Sequence, residues 1–256
     1  MKFYSYESVG NKFLLLEINS LKTILNNPAD LFSGLKANIQ TQVIKNGCDG
    51  LLALVQQKTI LVFNADGSYG QFSVNGARCA AYHVLRGSEK KRISFFVGDV
   101  LVEALRAEKA GAVTIRLCQN ATVEPLVLSS VKGFFVDVGN PHFVVLQKID
   151  KKAFLQQALI LAQGNEETGG AINVSYFWLK DDGAGYKGIV YERGVGPTLS
   201  CGSAALALVN VLLKTGRLNL GDQISIYMPG GVMMGLVLDE RCIEITAHVS
   251  CGNLIL

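Results

Sequence analysis

Short runs of β-branched and aromatic residues recur from one end of the chain to the other. In the first half they are FLLLEI (13–18), GLLALV (50–55), TILVFN (59–64), RISFFVG (92–98) and VTIRL (113–117). In the second they are GFFVDVG (133–139), HFVVL (142–146), NVSYFWL (173–179), GIVYE (188–192), ISIYM (224–228) and CIEITAHV (242–249). Gly, Asn and Asp turns such as NADGS (64–68) punctuate them, which predicts strands joined by tight turns. Two segments break the pattern and predict helices. NGARCAAYHVLRG ends at Gly87 and CGSAALALVNVLLKTG at Gly216, each opening beside a glycine and closing on a glycine C-cap signal. The second is apolar on nearly every face, so it predicts a helix buried on all sides, for which wrapping by strands is the simplest enclosure. Strand, tight turn, helix and further strands occur once in each half, which reads as a duplicated α+β unit with a boundary near LCQNATVEP (117–125).

Composition narrows the class. The 256 residues suffice for one large domain or two of about 120 to 130. A chain 49% hydrophobic and 18% charged, without low-complexity runs, is an ordered globular one. The net charge of +3 comes from scattered Lys and Arg with no basic stripe, which sets nucleic acid aside as a partner. The longest apolar stretch, AALALVNVLL (204–213), is about half a membrane span, so no membrane partner is expected. MKFYSYESVGNKF lacks the apolar core of a signal peptide, and a soluble, cytoplasmic protein is expected. Six cysteines, at 48, 79, 118, 201, 242 and 251, are too dispersed for a disulfide framework and form no CxxC pair. Reduced thiols and no metal site are therefore expected.

A glycine-rich turn at a helix N-terminus offers unpaired backbone N–H groups and the positive end of the helix dipole, which suits a carboxylate. Two such ends facing one another would hold a small anion from both sides. Cys201 lies just before Gly202, where that field favours thiolate over thiol, and it reads equally well as a small buried apolar residue. Cys79 falls inside its helix on the Ala80, Val84 side and reads as core, while Cys48, Cys118, Cys242 and Cys251 have no clustered partners and read as structural or incidental. In VGNPHF (138–143), Asn140 and His142 sit in a turn with Pro141 fixing the backbone. In YERGVGPTLSCGS (191–203), Glu192 and Arg193 precede the candidate thiol. A lone turn histidine is usually solvated and an exposed Glu–Arg pair is usually surface charge, so these residues alone leave the substrate open.

Taken together, VGNKF (9–13), FNADGS (63–68), NGARC (75–79), GNPH (139–142), INV (172–174), YERGVG (191–196), CGS (201–203) and PGG (229–231) resemble the diaminopimelate epimerase family. They follow that family's order over nearly the whole chain. The resemblance implies an α+β fold of two pseudo-symmetric domains, each a β-sheet or barrel wrapped around a central helix, with the active site in the interdomain cleft. Domains are expected at 1–116 and 117–245, with 246–256 returning to the first. It implies a pyridoxal phosphate-independent isomerase, with no metal or organic cofactor, that interconverts LL- and meso-diaminopimelate. Two opposed helix N-termini in a dry cleft would stabilise the carbanion, while one base and one acid work on opposite faces of the α-carbon. The partner is then a small-molecule amino acid of the diaminopimelate kind, and a homodimer is compatible with the family.

Residue by residue, Cys201 matches the second catalytic cysteine, and His142 and Glu192 match polar residues that support the catalytic centre. Gly202 and Ser203 match positions whose backbone N–H groups meet the α-carboxylate, and Val74, Asn75 and Gly76 fall in the corresponding first-half turn. Asn11, Asn64, Asn140, Asn173 and Arg193 match the substrate-binding set, in which the planar fork of the arginine grips the distal carboxylate. The departures bear on the chemistry. Where the family's first catalytic motif reads C-G-N-G, this chain has Ser73 for the cysteine and Val74 for a glycine. Pro197 stands for a Glu, Ala204 for a Gly, and ITAHV for a Gly-Pro turn. A hydroxyl is a far weaker acid than a thiol, whose ordinary pKa is about 8.5, and it is a poor base unless another group activates it. Three readings of Ser73 follow: an epimerase with impaired or altered proton transfer on one face, a related racemase or hydro-lyase using a Ser/Cys pair, or a catalytically weak ligand-binding homologue. Retention of Arg193 with Asn64, Asn140 and Asn173 favours a diaminopimelate-like substrate.

Overall fold

A computed structural model describes residues 2–19, 40–70 and 72–255. The chain divides into an N-terminal unit, Met1–Ile115 with His248–Leu256, and a C-terminal unit, Arg116–Ala247. The first contains β1 (Phe3–Ser8), β2 (Asn11–Ile18), β3 (Gly50–Val55), β4 (Thr59–Asn64), β5 (Tyr69–Gly70), helix α1 (Val74–Arg86), β6 (Arg92–Val97), β7 (Val100–Arg106) and β8 (Ala112–Cys118), along which the chain passes to the second unit. There follow β9 (Thr122–Leu128), β10 (Val131–Asp137), β11 (Pro141–Val145), helix α2 (Lys151–Leu161), β12 (Asn173–Leu179), β13 (Tyr186–Glu192) and β14 (Gly196–Thr198). Helix α3 (Gly202–Lys214), β15 (Gln223–Met228) and β16 (Gly231–Val237) complete it, and β17 (Cys242–Ile255) returns to the N-terminal unit.

Both units obey one pairing scheme. In the first, β1·β2 is antiparallel, β2·β3 parallel, β3·β4 and β4·β5 antiparallel, β4·β6 parallel and β6·β7 antiparallel. In the second, β10·β11, β11·β12, β12·β13, β13·β14, β13·β15 and β15·β16 repeat that series in the same order. The pairing of β17 with β1 likewise matches that of β9 with β10. Each sheet curls around one helix, α1 packing on β1, β2, β3, β4, β6 and β7, and α3 on β9, β10, β11, β12 and β16. The composition of α3 demands this enclosure: Leu206, Leu208, Val209, Val211 and Leu212 are all at most 2% exposed. Each such side chain contributes about 1.5–3 kcal/mol by leaving water.

Two expectations are corrected. Helix α2 lies outside the two helical segments predicted. Its apolar residues do not form one stripe, since Phe154, Ala158 and Leu161 are buried while Leu159 and Ile160 are more than half exposed. Its start is fixed instead by Asp150, whose Oδ1 accepts the N–H groups of Lys152 (3.0 Å) and Ala153 (3.1 Å). The expectation of reduced, unpartnered cysteines fails at Cys118 and Cys242, which form a disulfide across 124 residues. Pairing of β8 with β17 brings their Cα atoms within 4.0 Å, a neighbourhood that spacing along the chain does not reveal. Among the described residues no helix is long and apolar enough to cross a membrane.

Because one carboxylate caps two N–H groups of α2, Asp150→Ala is expected to cost about 1 kcal/mol. Urea denaturation should show a lower midpoint with an unchanged slope, and Asp150→Asn should recover most of the loss.

Candidate active site

Strand register gathers the expected residues at one end of each sheet. In the N-terminal unit Phe13 pairs with Gly50 and Gly50 with Asn64, so Asn11, Asp49 and Asn64 share an end of β2, β3 and β4. Asn11 Nδ2 and the Lys12 N–H both donate to Asp49 Oδ2, at 2.8 and 2.7 Å. Asn64 Nδ2 donates to Ser68 Oγ at 2.9 Å, and Ser68 is itself held by Asp66. Ser73 is the N-cap of α1, with φ −141° and ψ 111°, and its Oγ accepts the Gly76 N–H at 3.0 Å. Val74, Asn75 and Gly76 are buried behind it. Asn75 Oδ1 accepts from Arg78 Nη1 at 2.8 Å, and the same nitrogen donates to Ser8 Oγ at 3.0 Å. Burial lowers the Arg78 pKa only to about 10, so a cation ties the first turn of α1 to β1.

In the C-terminal unit the equivalent N-cap is Cys201, with φ −140° and ψ 116°, before a helix of the same 13-residue length. Unlike Ser73 it makes no side-chain cap hydrogen bond. Its N–H donates to Met228 Sδ at 3.4 Å, and its Sγ lies 3.2 Å from Ser203 Oγ. That hydroxyl is 3.0 Å from His142 Nε2 and accepts from Asn140 Nδ2 at 3.3 Å. His142 Nε2 also lies 3.2 Å from Asn140 Oδ1 and 3.5 Å from Asn173 Nδ2. The parallel register of β11 on β12 sets His142 directly beside Asn173, whose Oδ1 accepts the Arg193 N–H at 2.9 Å. Arg193 Nη1 reaches the Ala171 carbonyl at 3.3 Å, and Glu192 Oε1 accepts from Thr198 Oγ1 at 2.7 Å. A continuous polar line thus runs from the Cys201 thiol through Ser203 and His142 to Asn173 and the Arg193 backbone.

Burial sets the protonation states along this line. It pushes the Cys201 thiol well above the ordinary thiol range, and the Glu192 carboxylate adds to the rise. The Ser203 hydroxyl and the N–H groups of Ala204 and Ser203 oppose the shift and are outweighed. Desolvation thus beats the helix field that favours a thiolate, and Cys201 rests as a thiol. Burial also lowers His142 to about 3, helped by the Arg193 charge, which leaves a neutral imidazole. Its Nδ1 has no hydrogen-bond partner among the described residues. Cys79, fully buried and pushed up to about 12, is a core residue.

Met228 and Thr198, which touch Cys201 and Glu192, were invisible in the sequence. Only the register of β14 on β13 gives Thr198 its place, and Met228 ends a strand remote in sequence from the thiol. Among the described residues no group of three His, Cys, Asp or Glu side chains could hold a metal ion.

The family model for diaminopimelate epimerase matches residues 134–246, the stretch that holds His142, Asn173, Glu192, Arg193 and Cys201. The chain is 28% identical to a diaminopimelate epimerase from Xanthomonas campestris pv. campestris over 90% of this chain and 87% of that one. Against a diaminopimelate epimerase from Rickettsia prowazekii the identity is 27%, over 84% and 83%. These matches support a likeness to the diaminopimelate epimerase family over most of the chain. A solved hydroxyproline epimerase from Agrobacterium vitis shares the fold at a TM-score of 0.71 and 14% identity, covering all of this chain and 90% of that one. The family-model match and the curated relatives make the protein an isomerase of the amino-acid epimerase class.

The buried His142 has a stability signature. Its folded-state pKa, near 3, lies below the unfolded value of about 6.5, so the unfolded chain binds the extra proton between those limits and stability falls as pH drops through them. Between pH 7 and pH 5 the wild type should lose about 2 kcal/mol from this group. His142→Gln should lack that component in urea denaturation; equal pH slopes for the two proteins would mean that His142 is protonated in the fold.

Proposed function

We propose that this protein interconverts LL- and meso-diaminopimelate without a cofactor, with Cys201 as the working base and Ser73 as a weak partner on the opposite face of the α-carbon. The observation behind this is the equivalence of the two N-caps: matching backbone angles and helix lengths, one cap closed by its own hydroxyl and the other left open beside the Ser203–His142 line. An uncapped first turn of α3 has N–H groups for an α-carboxylate, where negative charge grows as the α-proton leaves. The Arg193 fork suits the distal carboxylate, and Asn11, Asn64, Asn140 and Asn173 complete the substrate set. Burial is the main cause of the His142 depression, and a carboxylate on Arg193 would cancel the smaller part that comes from its charge and make the imidazole more basic. Ser203 could then pass its proton to Nε2 while taking the thiol proton, leaving a Cys201 thiolate to remove the α-proton.

Ser73 would return a proton to the other face, and the Gly76 N–H on its oxygen stabilises the alkoxide left behind until water reprotonates it. A hydroxyl remains a much weaker acid than the thiol it replaces, so the step is slow rather than absent. A cytoplasmic enzyme, alone or as a homodimer, goes with this reading. A second reading rests on the same hydroxyl: a Ser/Cys pair that racemises or dehydrates a simpler amino acid, on the fold shared with the hydroxyproline epimerase.

Incubation with LL-diaminopimelate in deuterated water should give meso product deuterated at one α-carbon, slowed at least about 10³-fold by Cys201→Ala. Bound diaminopimelate with neither exchange nor product overturns the epimerase assignment. Turnover of hydroxyproline that Arg193→Ala leaves intact would select the second reading.

A further inference from the structure

We propose that a cleft in the C-terminal unit, at the C-terminal end of α3, binds a small organic anion with an aromatic or apolar body. The cleft holds about 950 Å³, within the range of about 300–1,000 Å³ usual for small-molecule sites. It exists because the strand roll opens there. Strand β11 pairs with β12 only from His142↔Asn173 to Val145↔Tyr176, whereas β12 runs on to Leu179. Strand β13 meets β15 at Tyr186↔Ile226 and Lys187↔Tyr227, although β15 begins at Gln223. The turn between β12 and β13 is closed by the Gly183 N–H on the Lys180 carbonyl (2.9 Å) and the Lys180 N–H on the Gly185 carbonyl (2.8 Å). Gly185, at φ 126°, lies so close to β15 that a Cβ there would overlap the Ser225 carbonyl oxygen. The opening is therefore held by backbone contacts.

Its electrostatics favour an anion. Lys148 and Arg217 line it, no Asp or Glu does, and neither cation has an ion-pair partner among the described residues. The neighbouring turn carries two acids, Asp181 and Asp182, neither of which lines the cleft, and Asp182 is paired with Lys180 at 2.8 Å. The carbonyls that end α3 would repel an anion, but they are occupied. The Thr215 N–H and hydroxyl bond to the Val211 carbonyl, the Gly216 N–H to Leu213, and the N–H groups of Arg217 and Leu218 to Leu212. Those last bonds also fix Arg217 at the cleft. Trp178, Leu218 and Met234 supply apolar surface, and Gln223 and Ser225 supply hydrogen-bonding groups. A planar guanidinium and an indole lining one cleft suit a carboxylate, sulfonate or phosphate attached to a ring. None of these residues belongs to the Cys201 site, so the proposal stands apart from the function above.

Trp178 is the single tryptophan of the chain, so its fluorescence reports on the cleft. Titration of the full chain with 8-anilino-1-naphthalenesulfonate should give saturable energy transfer from Trp178, weakened by added salt. The double variant Lys148→Ala, Arg217→Ala alters two exposed side chains and should keep the wild-type unfolding midpoint while raising Kd at least about tenfold. The uncharged dye N-phenyl-1-naphthylamine should bind correspondingly worse. Transfer that does not saturate, an unchanged Kd in the folded double variant, or equal affinity for the uncharged dye would each overturn the proposal, the last by showing apolar surface without anion selectivity.

Discussion

A helix with no polar face has to be enclosed, and enclosing it decides where its first turn lies. Two of the strands packed on α3 begin at Pro141 and Asn173, and β13, paired with β12, ends at Glu192, so the side chains at those strand ends collect near Cys201. The same burial that assembles the site sets its resting chemistry. It holds Cys201 as a thiol and His142 as a neutral imidazole, joined through Ser203. A pair held uncharged by desolvation is one that a charged substrate can switch, because a carboxylate brings into the low-dielectric site the compensating charge that water no longer supplies.

The duplicated fold makes Ser73 and Cys201 a natural comparison. Serine is among the preferred N-cap residues and typically contributes about 1 kcal/mol to a helix, and here its Oγ does that work on the Gly76 N–H. Cysteine leaves the first turn of α3 uncapped, which is less stable and more useful, since those donors are then open to a ligand. On the proposed reading, one atom, oxygen in place of sulfur, would shift an N-terminus from chemistry toward stability, a trade common at functional sites.

Much of the fold was legible because short β-branched and aromatic runs bounded by Gly, Asn and Asp turns, such as GLLALV and NVSYFWL, read as strands, while ALALVNVLL, apolar but for Asn210, is long enough to read as a buried helix. The candidate site was legible for a different reason: its residues lie in short motifs at strand ends and helix starts. What escaped were effects that depend on neighbours distant in sequence. Helix α2 is fixed by Asp150 and by contacts of Phe154, Ala158 and Leu161 rather than by a clean stripe. Cys118 and Cys242 meet only through the pairing of β8 with β17. The position of Cys201 before a glycine left reactive and structural readings equally open, and the enclosure that holds it as a thiol is a property of the whole unit. Asp49, which holds Asn11, and Met228, behind Cys201, likewise acquire their places from register alone.

The equivalence of the two N-caps, and the cost of oxygen at the first, are tested most directly by the rate of Ser73→Cys on LL-diaminopimelate. If the site is otherwise intact, a second thiol at that N-cap should raise meso formation at least about 10²-fold, with the gain abolished by Cys201→Ala. A correctly folded Ser73→Cys protein with the wild-type rate would contradict the account and place the limitation at Val74, at Pro197 or in the identity of the substrate.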